Sequence, residues 1–213
     1  MTEVLLVRHG ETLWNQQGRM QGQHDSPLTE VGVRQARLLG RRLKDVPFAA
    51  LYSSDLERAY RTALSIADET GHDIVVDTRL RERHFGIFEG LTHTEIKLRY
   101  PEHYERFASR DPAFAMPAGE SALEFHARCL ACVQEIAVRH AETSVVVVAH
   151  GLVLDALYRA ALGMKLDQAR GFPLLNCSLN TFRYESGGWK VVAVCDVAHL
   201  GTDGVTQFQS RVV

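Results

Sequence analysis

Three places in this 213-residue chain join an apolar run directly to groups that can hold or attack a phosphate. Val4-Leu5-Leu6-Val7 ends in Arg8-His9-Gly10. Ala50-Leu51-Tyr52-Ser53 leads into Ser54, with Arg58 one helical turn further on. Val145–Ala149 ends in His150-Gly151. Taken singly, each is an ordinary solvated turn, and Arg58 an ordinary helix-surface residue. Together they set two imidazoles and two guanidinium groups at the ends of three strands. Core packing explains neither His-Gly step, because the polar ring begins where the apolar run stops.

Phosphoryl chemistry needs this set. Arginine offers a planar fork of donors matched to phosphate oxygens and keeps its charge at every working pH. Helix N-termini after Ser54 and Gly151 would add backbone N–H groups and the positive end of a helix dipole. A neutral imidazole beside a phosphate can act as a nucleophile, dividing one hard displacement into two. The departing alkoxide then requires a proton donor. The segment LRERHFGIFEG, residues 80 to 90, supplies Glu82, His84 and Glu89 by type, and spacing alone does not choose between Glu82 and Glu89. Neither a Ser-His-Asp triad nor a glycine-rich P-loop with its lysine is evident.

The elements that must position these groups follow from periodicity. Val4 to Val7 is apolar without alternation, as in a strand covered on both faces of a parallel sheet. Asn15 to Pro27, rich in Gln, Gly and Asp, reads as a loop. Thr29 caps a helix whose inner side carries Ala36, Leu39, Gly40 and Leu43. A second strand over Ala49–Tyr52 precedes Ser54-Asp55-Leu56-Glu57, which has the form of a capping box. The helix it predicts buries Ala59, Ala63, Ile66 and Ala67 and ends at Gly71, before a third strand over Ile74–Val76. From about 91 to 116 periodicity is lost around Pro101 and Pro112, and the segment reads as a helical, cap-like insertion. Ser121 to Glu124 opens a long helix, Val145–Ala149 is a strand, and the helix after His150-Gly151 stops at Gly163. Leu179–Tyr184 and Trp189–Val194 alternate on either side of Glu185-Ser186-Gly187-Gly188, a hairpin signature. Strands alternating with helices predict a three-layer α/β/α sandwich with a mostly parallel sheet and an antiparallel hairpin at one edge. The whole of residues 1–213 is read as a single catalytic domain, its tail after His199 polar and loose. In such sheets ligands bind beyond the carboxyl ends of the strands, where the Arg and His residues fall.

Composition narrows the class. A formal charge of −2 gives no global basic field for nucleic acid or an anionic membrane, so any anion site must be local. No apolar run reaches the roughly 20 residues of a bilayer span. The N-terminal MTEVLLVRHGE has no cationic leader and too short an apolar stretch for a signal peptide, so a cytoplasmic location is expected. Cys129 and Cys132 form a C-x-x-C, yet with Phe125 and Ile136 they share one stripe in mid-helix, so they are read as core. Cys177 and Cys195 suggest no partner, and no disulfide is expected. The ten histidines show no paired metal-ligand spacing, and no metal is expected.

These motifs resemble the histidine phosphatase superfamily, the group that contains cofactor-dependent phosphoglycerate mutases and many small-molecule phosphatases. The likeness spans nearly the whole chain. It rests on VRHGETLWN, the DSPLTEVGVRQA segment from Asp25 to Ala36, YSSDLERAYRTA, RERHFGIFEGLT and VVAHG, in the family's order. The resemblance implies a phosphoglycerate mutase-like fold, with His9 as the nucleophile that becomes phosphohistidine. It implies that Arg8, Arg58 and His150 bind phosphoryl oxygens and that Glu82 is the general acid, later the base. Thr12, Asn15, Gly22 and the Gly151 amide match positions lining the phosphate or substrate pocket. Ser54 and His93 complete the expected substrate-binding set.

The chain also departs from the glycolytic mutases. Those carry a longer insertion between the general acid and the second histidine, with adjacent arginines that hold a substrate carboxylate. Here the interval from Glu82 to His150 is compact and has no Arg-Arg pair. The lysine after the mutases' Gly-Leu step is His93, and a nearby tyrosine is Phe85. A mutase must also shield its phosphohistidine from water. The expected activity is therefore a metal-independent phosphomonoesterase acting on a small phosphorylated metabolite, without cofactor. The runner-up is a phosphoglycerate mutase, which alone would call for a 2,3-bisphosphoglycerate primer. A catalytically idle phospho-ligand binder is the lesser alternative. The expected partner is a small-molecule phosphate ester, with neither nucleic acid nor membrane, and a homo-oligomer is left open. Phe107, Phe114 and Met116 of the insertion are candidate apolar contacts for the ester or, equally, pack the insertion against the domain, and Phe85 and Phe88 suggest a partly apolar rim.

Overall fold

The computed structural model describes residues 1–201. The expectation of a loose tail therefore falls almost entirely outside the described residues. A six-stranded sheet has the order β3-β2-β4-β1-β5-β6, with β1 Thr2–Arg8, β2 Leu51–Ser53, β3 Ile74–Val76, β4 Ser144–Ala149, β5 Leu179–Glu185 and β6 Gly188–Asp196. The first four strands run parallel, and β5 and β6 add antiparallel at one side. The hairpin turn places Ser186 and Gly187 at φ +50 and +79, the left-handed pair that a two-residue turn between twisted strands requires.

Helices cover both faces, numbered α1 Leu13–Gln16, α2 Glu30–Leu43, α3 Glu57–Thr70, α4 His93–Arg99, α5 Pro101–Ala108, α6 Ala122–Arg139 and α7 Gly151–Leu162. The alternation of β1 and β4 explains the layers. Val4, Leu6, Val145 and Val147 pack with Phe125, Cys129, Ile136, Val153 and Leu157 of α6 and α7. Val7, Val146 and Val148 pack with Leu39, Leu43, Ala63 and Ile66 of α2 and α3. These strands are apolar on both faces because both are covered. Thr29 and Ser121 cap α2 and α6 as read, and Gly71 and Gly163 end α3 and α7 in left-handed conformation. No described helix is long and apolar enough to cross a membrane.

Three expectations need correction. Asn15 to Pro27 is not loop from its first residue, because Leu13–Gln16 forms one helical turn. The capping box at Ser54 does not form: α3 starts at Glu57 after Leu56, with no cap from a neighbouring side chain. Asp25 caps it instead, its carboxylate accepting from the Glu57 and Arg58 N–H groups at 2.8 and 3.4 Å. Ser54 Oγ accepts only from the Leu56 N–H, at 3.3 Å, and meets the His150 ring at 2.9 Å. Finally, the 91–116 segment folds over a small core of its own, in which Met20, Phe88, Ile96, Phe114 and Met116 are buried. Phe88 and Met116 are therefore packing residues and not contacts for an ester.

All four cysteines are free thiols, and Cys129 and Cys132 lie buried in mid-α6. Burial pushes the Cys129 thiol up and the Cys132 thiol up to about 12, so neither forms the thiolate that redox or metal chemistry needs.

Candidate active site

Register brings the two histidines together. Arg8 pairs with Ala149 across β1 and β4, so His9 and His150 are the next residues out on adjacent strands. Their ring centroids are 5.3 Å apart. Both are buried, as are Arg8, Arg58 and Ser54. The tip of β1 is fixed by four consecutive backbone donors. The His9 N–H binds the Ala149 carbonyl at 3.0 Å, the Gly10 N–H binds Thr62 Oγ1 at 3.0 Å, the Glu11 N–H binds Gln35 Oε1 at 2.9 Å, and the Thr12 N–H binds Asn15 Oδ1 at 3.2 Å. Thr12 returns a bond from the Asn15 N–H, so these two residues shape the turn as a capping box of α1. Asn176 closes the arrangement, donating from Nδ2 to the His9 carbonyl at 2.8 Å.

His9 Nδ1 lies 2.8 Å from the Gly10 carbonyl oxygen. A carbonyl only accepts, so Nδ1 carries the proton and Nε2 holds the lone pair. Burial, then Arg58 and Arg8, hold the His9 imidazole well below its ordinary pKa. At neutral pH it is therefore a neutral base with one nitrogen committed and the other available. His150, likewise held neutral by burial and by Arg58, bonds through Nε2 to Ser54 Oγ at 2.9 Å. Its Nδ1 is buried with no hydrogen-bond partner.

Both guanidinium groups are held by backbone carbonyls. Arg58 Nη1 donates to the His24 carbonyl and to Asp25 Oδ1, both at 2.8 Å, and Nη2 donates to the Gly22 carbonyl at 2.7 Å. Its Nε is buried and unpartnered. Gly22 must be glycine: its φ is +54, and a Cβ would lie 1.9 Å from the Glu89 carboxylate. Arg8 Nη1 donates to the Leu174 carbonyl. Burial lowers Arg8 to about 10, with Glu82 opposing, so it keeps its charge at neutral pH. A Cβ at Gly151 would lie 3.3 Å from Leu174 Cδ1 and in ordinary contact with Arg8 Nε at 3.6 Å, so the residue sits directly beside the Arg8 side chain.

The structure separates the two carboxylates that sequence spacing leaves equivalent. Glu82 Oε1 accepts from the Arg83 N–H at 2.8 Å, and Oε2 accepts from the Leu152 N–H at 3.2 Å in the first turn of α7. Desolvation raises its pKa, against these two bonds and the pull of Arg58 and Arg8. Glu82 is thus a carboxyl beside the cationic cluster and biased toward its protonated form. Glu89 is a brace. Its Oε1 accepts from the Gln23 and Phe85 N–H groups at 3.0 and 2.8 Å, with His24 and His84 ring nitrogens 3.6 and 3.7 Å away.

His93 is not brought to the cluster. It opens α4, packs edge-on against Tyr104 with centroids 6.2 Å apart, and lines a surface recess with Thr94, Lys97 and Leu98. Sequence reading missed Asp25, Gln35, Thr62 and Asn176. Gln35 and Thr62 could have been found as polar residues on the buried stripes of α2 and α3. Asn176 lies in a loop and carries no periodic signal. Among the described residues no group of three or more His, Cys, Asp or Glu side chains is gathered as a metal would require.

A buried pair of neutral imidazoles and two arginines beside a carboxyl of raised pKa, at the carboxyl ends of the parallel strands, defines a phosphoryl-handling site. Residues 4–197 match the sequence profile of the histidine phosphatase superfamily (branch 1), and the chain belongs to that superfamily. It is 36% identical to the protein named probable phosphoglycerate mutase GpmB of Yersinia pestis (strain Pestoides F), covering 98% of this chain and 100% of that one. Among solved structures it is similar to Bacillus stearothermophilus YhfR, with a TM-score of 0.87 and 38% identity over 93% of this chain and 99% of that one. A mycobacterial glucosyl-3-phosphoglycerate phosphatase matches with a TM-score of 0.79 and 34% identity over 91% and 98% of the two chains. The fold is phosphoglycerate mutase-like, and the chain is a phosphoryl-transfer enzyme.

Proposed function

We propose that the protein is a metal-independent phosphomonoesterase that hydrolyses a small phosphorylated metabolite through a phosphohistidine at His9. The observation that carries this reading is the orientation of His9. Its Nδ1–H is committed to the Gly10 carbonyl, which leaves Nε2 as the nucleophile. In the first step the Nε2 lone pair attacks phosphorus while the P–O ester bond breaks. The leaving oxygen takes the proton of the Glu82 carboxyl. Arg8, Arg58 and His150 hold the non-bridging oxygens, with their donors already oriented before charge develops. In the second step the Glu82 carboxylate removes a proton from water, whose oxygen attacks phosphorus. The P–N bond breaks, inorganic phosphate departs, and Glu82 is again protonated. Asn15, Thr12, Gly22, Ser54 and the Gly151 amide serve this binding by shaping the turn and placing the charged groups.

A mutase reading is favoured by one observation beyond a relative's name. Although the interval from Glu82 to His150 has no adjacent arginine pair, Arg83, Arg110 and Arg170 reach one recess from separate segments, where they could hold a substrate carboxylate. The test follows inorganic phosphate release from a panel of phosphomonoesters in chelator, including 3-phosphoglycerate with 2,3-bisphosphoglycerate primer. Net release from one or more esters is expected. Isomerisation of 3-phosphoglycerate without release would replace the phosphatase reading with the mutase one.

A further inference from the structure

A neutral imidazole has one N–H and one lone pair, and what each nitrogen of His150 touches decides which is which. Its Nε2 lies 2.9 Å from Ser54 Oγ, and its Nδ1 is buried with no hydrogen-bond partner. Ser54 is itself fully buried just past β2, and its Oγ already accepts from the Leu56 N–H at 3.3 Å. Among the described residues the His150 ring is the only other group this hydroxyl meets. Were Nε2 the donor, two buried groups would go unmade, the Ser54 hydroxyl proton and the Nδ1 lone pair. With Ser54 the donor only one is left, the Nδ1–H. That remaining group suits the surroundings. The positive charges of Arg58 and Arg8 act on the ring, and Arg58 contributes an Nε that is also buried and unpartnered. A donor beside them joins a set that an anionic oxygen can satisfy, whereas a lone pair would repel that oxygen.

We propose that Ser54 is a positioning residue whose hydroxyl donates to His150 Nε2, fixing the Nδ1–H tautomer and reserving that N–H for a non-bridging phosphoryl oxygen. His9 holds the same tautomer by the opposite device. There the Gly10 carbonyl takes the Nδ1–H and leaves the Nε2 lone pair free to attack. At His150 the serine hydroxyl consumes the Nε2 lone pair and leaves an N–H to bind. Two rings 5.3 Å apart are thus given different work, one as nucleophile and the other as electrophile. The use of the N–H on a phosphoryl oxygen rests on the phosphatase reading, whereas the tautomer is a property of the resting protein.

The tautomer is read by heteronuclear NMR of histidine-labelled protein, with His150 assigned by the signals that His150→Gln loses. At neutral pH the unsubstituted chain should show a protonated Nδ1 and a bare Nε2. Saturating inorganic phosphate should move the Nδ1–H proton downfield, a result that needs no variant to fold. Ser54→Ala should gain the Nε2–H form, and Ser54→Thr, which keeps the hydroxyl, should retain the Nδ1–H form. By calorimetry, inorganic phosphate should bind Ser54→Ala roughly 10- to 100-fold more weakly, the range of one hydrogen bond to a charged group. kcat/KM should fall by a similar factor for every ester, since all share the phosphoryl group. A protonated Nε2 in the unsubstituted chain, an Nδ1–H unmoved by phosphate, or an unchanged tautomer in Ser54→Ala overturns the inference, whatever is hydrolysed. The expected tautomers and phosphate affinities, with no ester hydrolysed and no phosphoenzyme trapped, uphold the role of Ser54 and overturn the phosphatase reading.

Discussion

At the tips of β1 and β4, Arg8, His9, Ser54, Arg58 and His150 come from a strand end or the helix after it, and consecutive backbone bonds fix the residues that follow β1. Beyond Glu82, the recess draws its wall from six separate segments, and half of its polar groups are long side chains on loops. The first region is built for one invariant group, a tetrahedral anion. The second can change with a few surface residues and leave the sheet untouched. Chemistry and selectivity are thus assigned to different parts of the chain, and substitutions should separate them.

The largest effect is expected at His9. His9→Ala should lower phosphate release by on the order of 10⁴-fold or more for every ester, whatever occupies the recess. A denaturing alkaline quench with labelled substrate should trap base-stable, acid-labile phosphate on the unsubstituted chain and none on the variant. Comparable turnover in the variant would end the phosphohistidine mechanism.

Next come the two glutamates. Glu82→Gln keeps one of the two bonds from the Arg83 and Leu152 amides, because its NH2 group cannot accept the other, and it does not serve as a proton donor, so kcat should fall by roughly 10²- to 10⁴-fold. The loss should be greatest for alkyl esters, whose alkoxides most need protonation. The raised pKa of Glu82 sets an alkaline limb on phosphoenzyme formation above the usual carboxylate range, and the variant should lose that limb. Glu89→Gln should instead lower stability by about 1–3 kcal/mol, read as a denaturant midpoint, with a smaller change in kcat. A reversed pattern would make Glu89 the acid.

These two regions also differ in how far the sequence discloses them. Arg8, His9, Arg58 and His150 are legible because an apolar run that stops at a charged group is a local signal, and the sheet does the rest. Glu82 and Glu89 have the same type and neighbourhood, and only the distant α7 amide distinguishes them, so spacing could not. Ser54 looks like a helix cap because its local pattern is right. Asp25, 32 residues away from Glu57, takes the cap, while the serine accepts from the Leu56 N–H and meets His150. The recess was least legible: Arg83, Arg110 and Arg170 are surface-type residues in sequence, and their convergence depends on loops with no periodicity. His93 shows the converse error, a position matched by motif that α4 turns toward Tyr104.

Asn176 tests whether the rigidity of the first region matters. It holds the His9 carbonyl from a loop and touches no reacting atom, so it is a positioning residue. Asn176→Ala should lower kcat by roughly tenfold or somewhat more while KM changes less, as expected when a nucleophile loses orientation and not binding contacts. Asn176→Asp should not rescue it, since a carboxylate cannot donate to that carbonyl. Equal loss in kcat and KM would reduce Asn176 to a general structural role.

The smallest effect is on acid stability, and it too divides the regions. His9 and His150 are held well below their ordinary pKa by burial, so below about pH 6.5 the unfolded chain takes up protons that the folded chain refuses. Stability must fall as pH drops through that range, by up to about 1.4 kcal/mol per pH unit for each histidine. Glu82 works with the opposite sign: its raised pKa contributes stability below the ordinary carboxylate range that is lost as pH rises through the folded value. In the recess, His126 is also lowered by burial, but Asp155 pulls it back toward its charged form. Denaturant midpoints between pH 7 and 5.5 should therefore show a flatter slope in His150→Gln than in the unsubstituted chain, with His126→Gln in between. If His126→Gln flattened the slope more, the stronger electrostatic penalty would lie in the recess, and the sheet tips would not be the region that holds its imidazoles neutral.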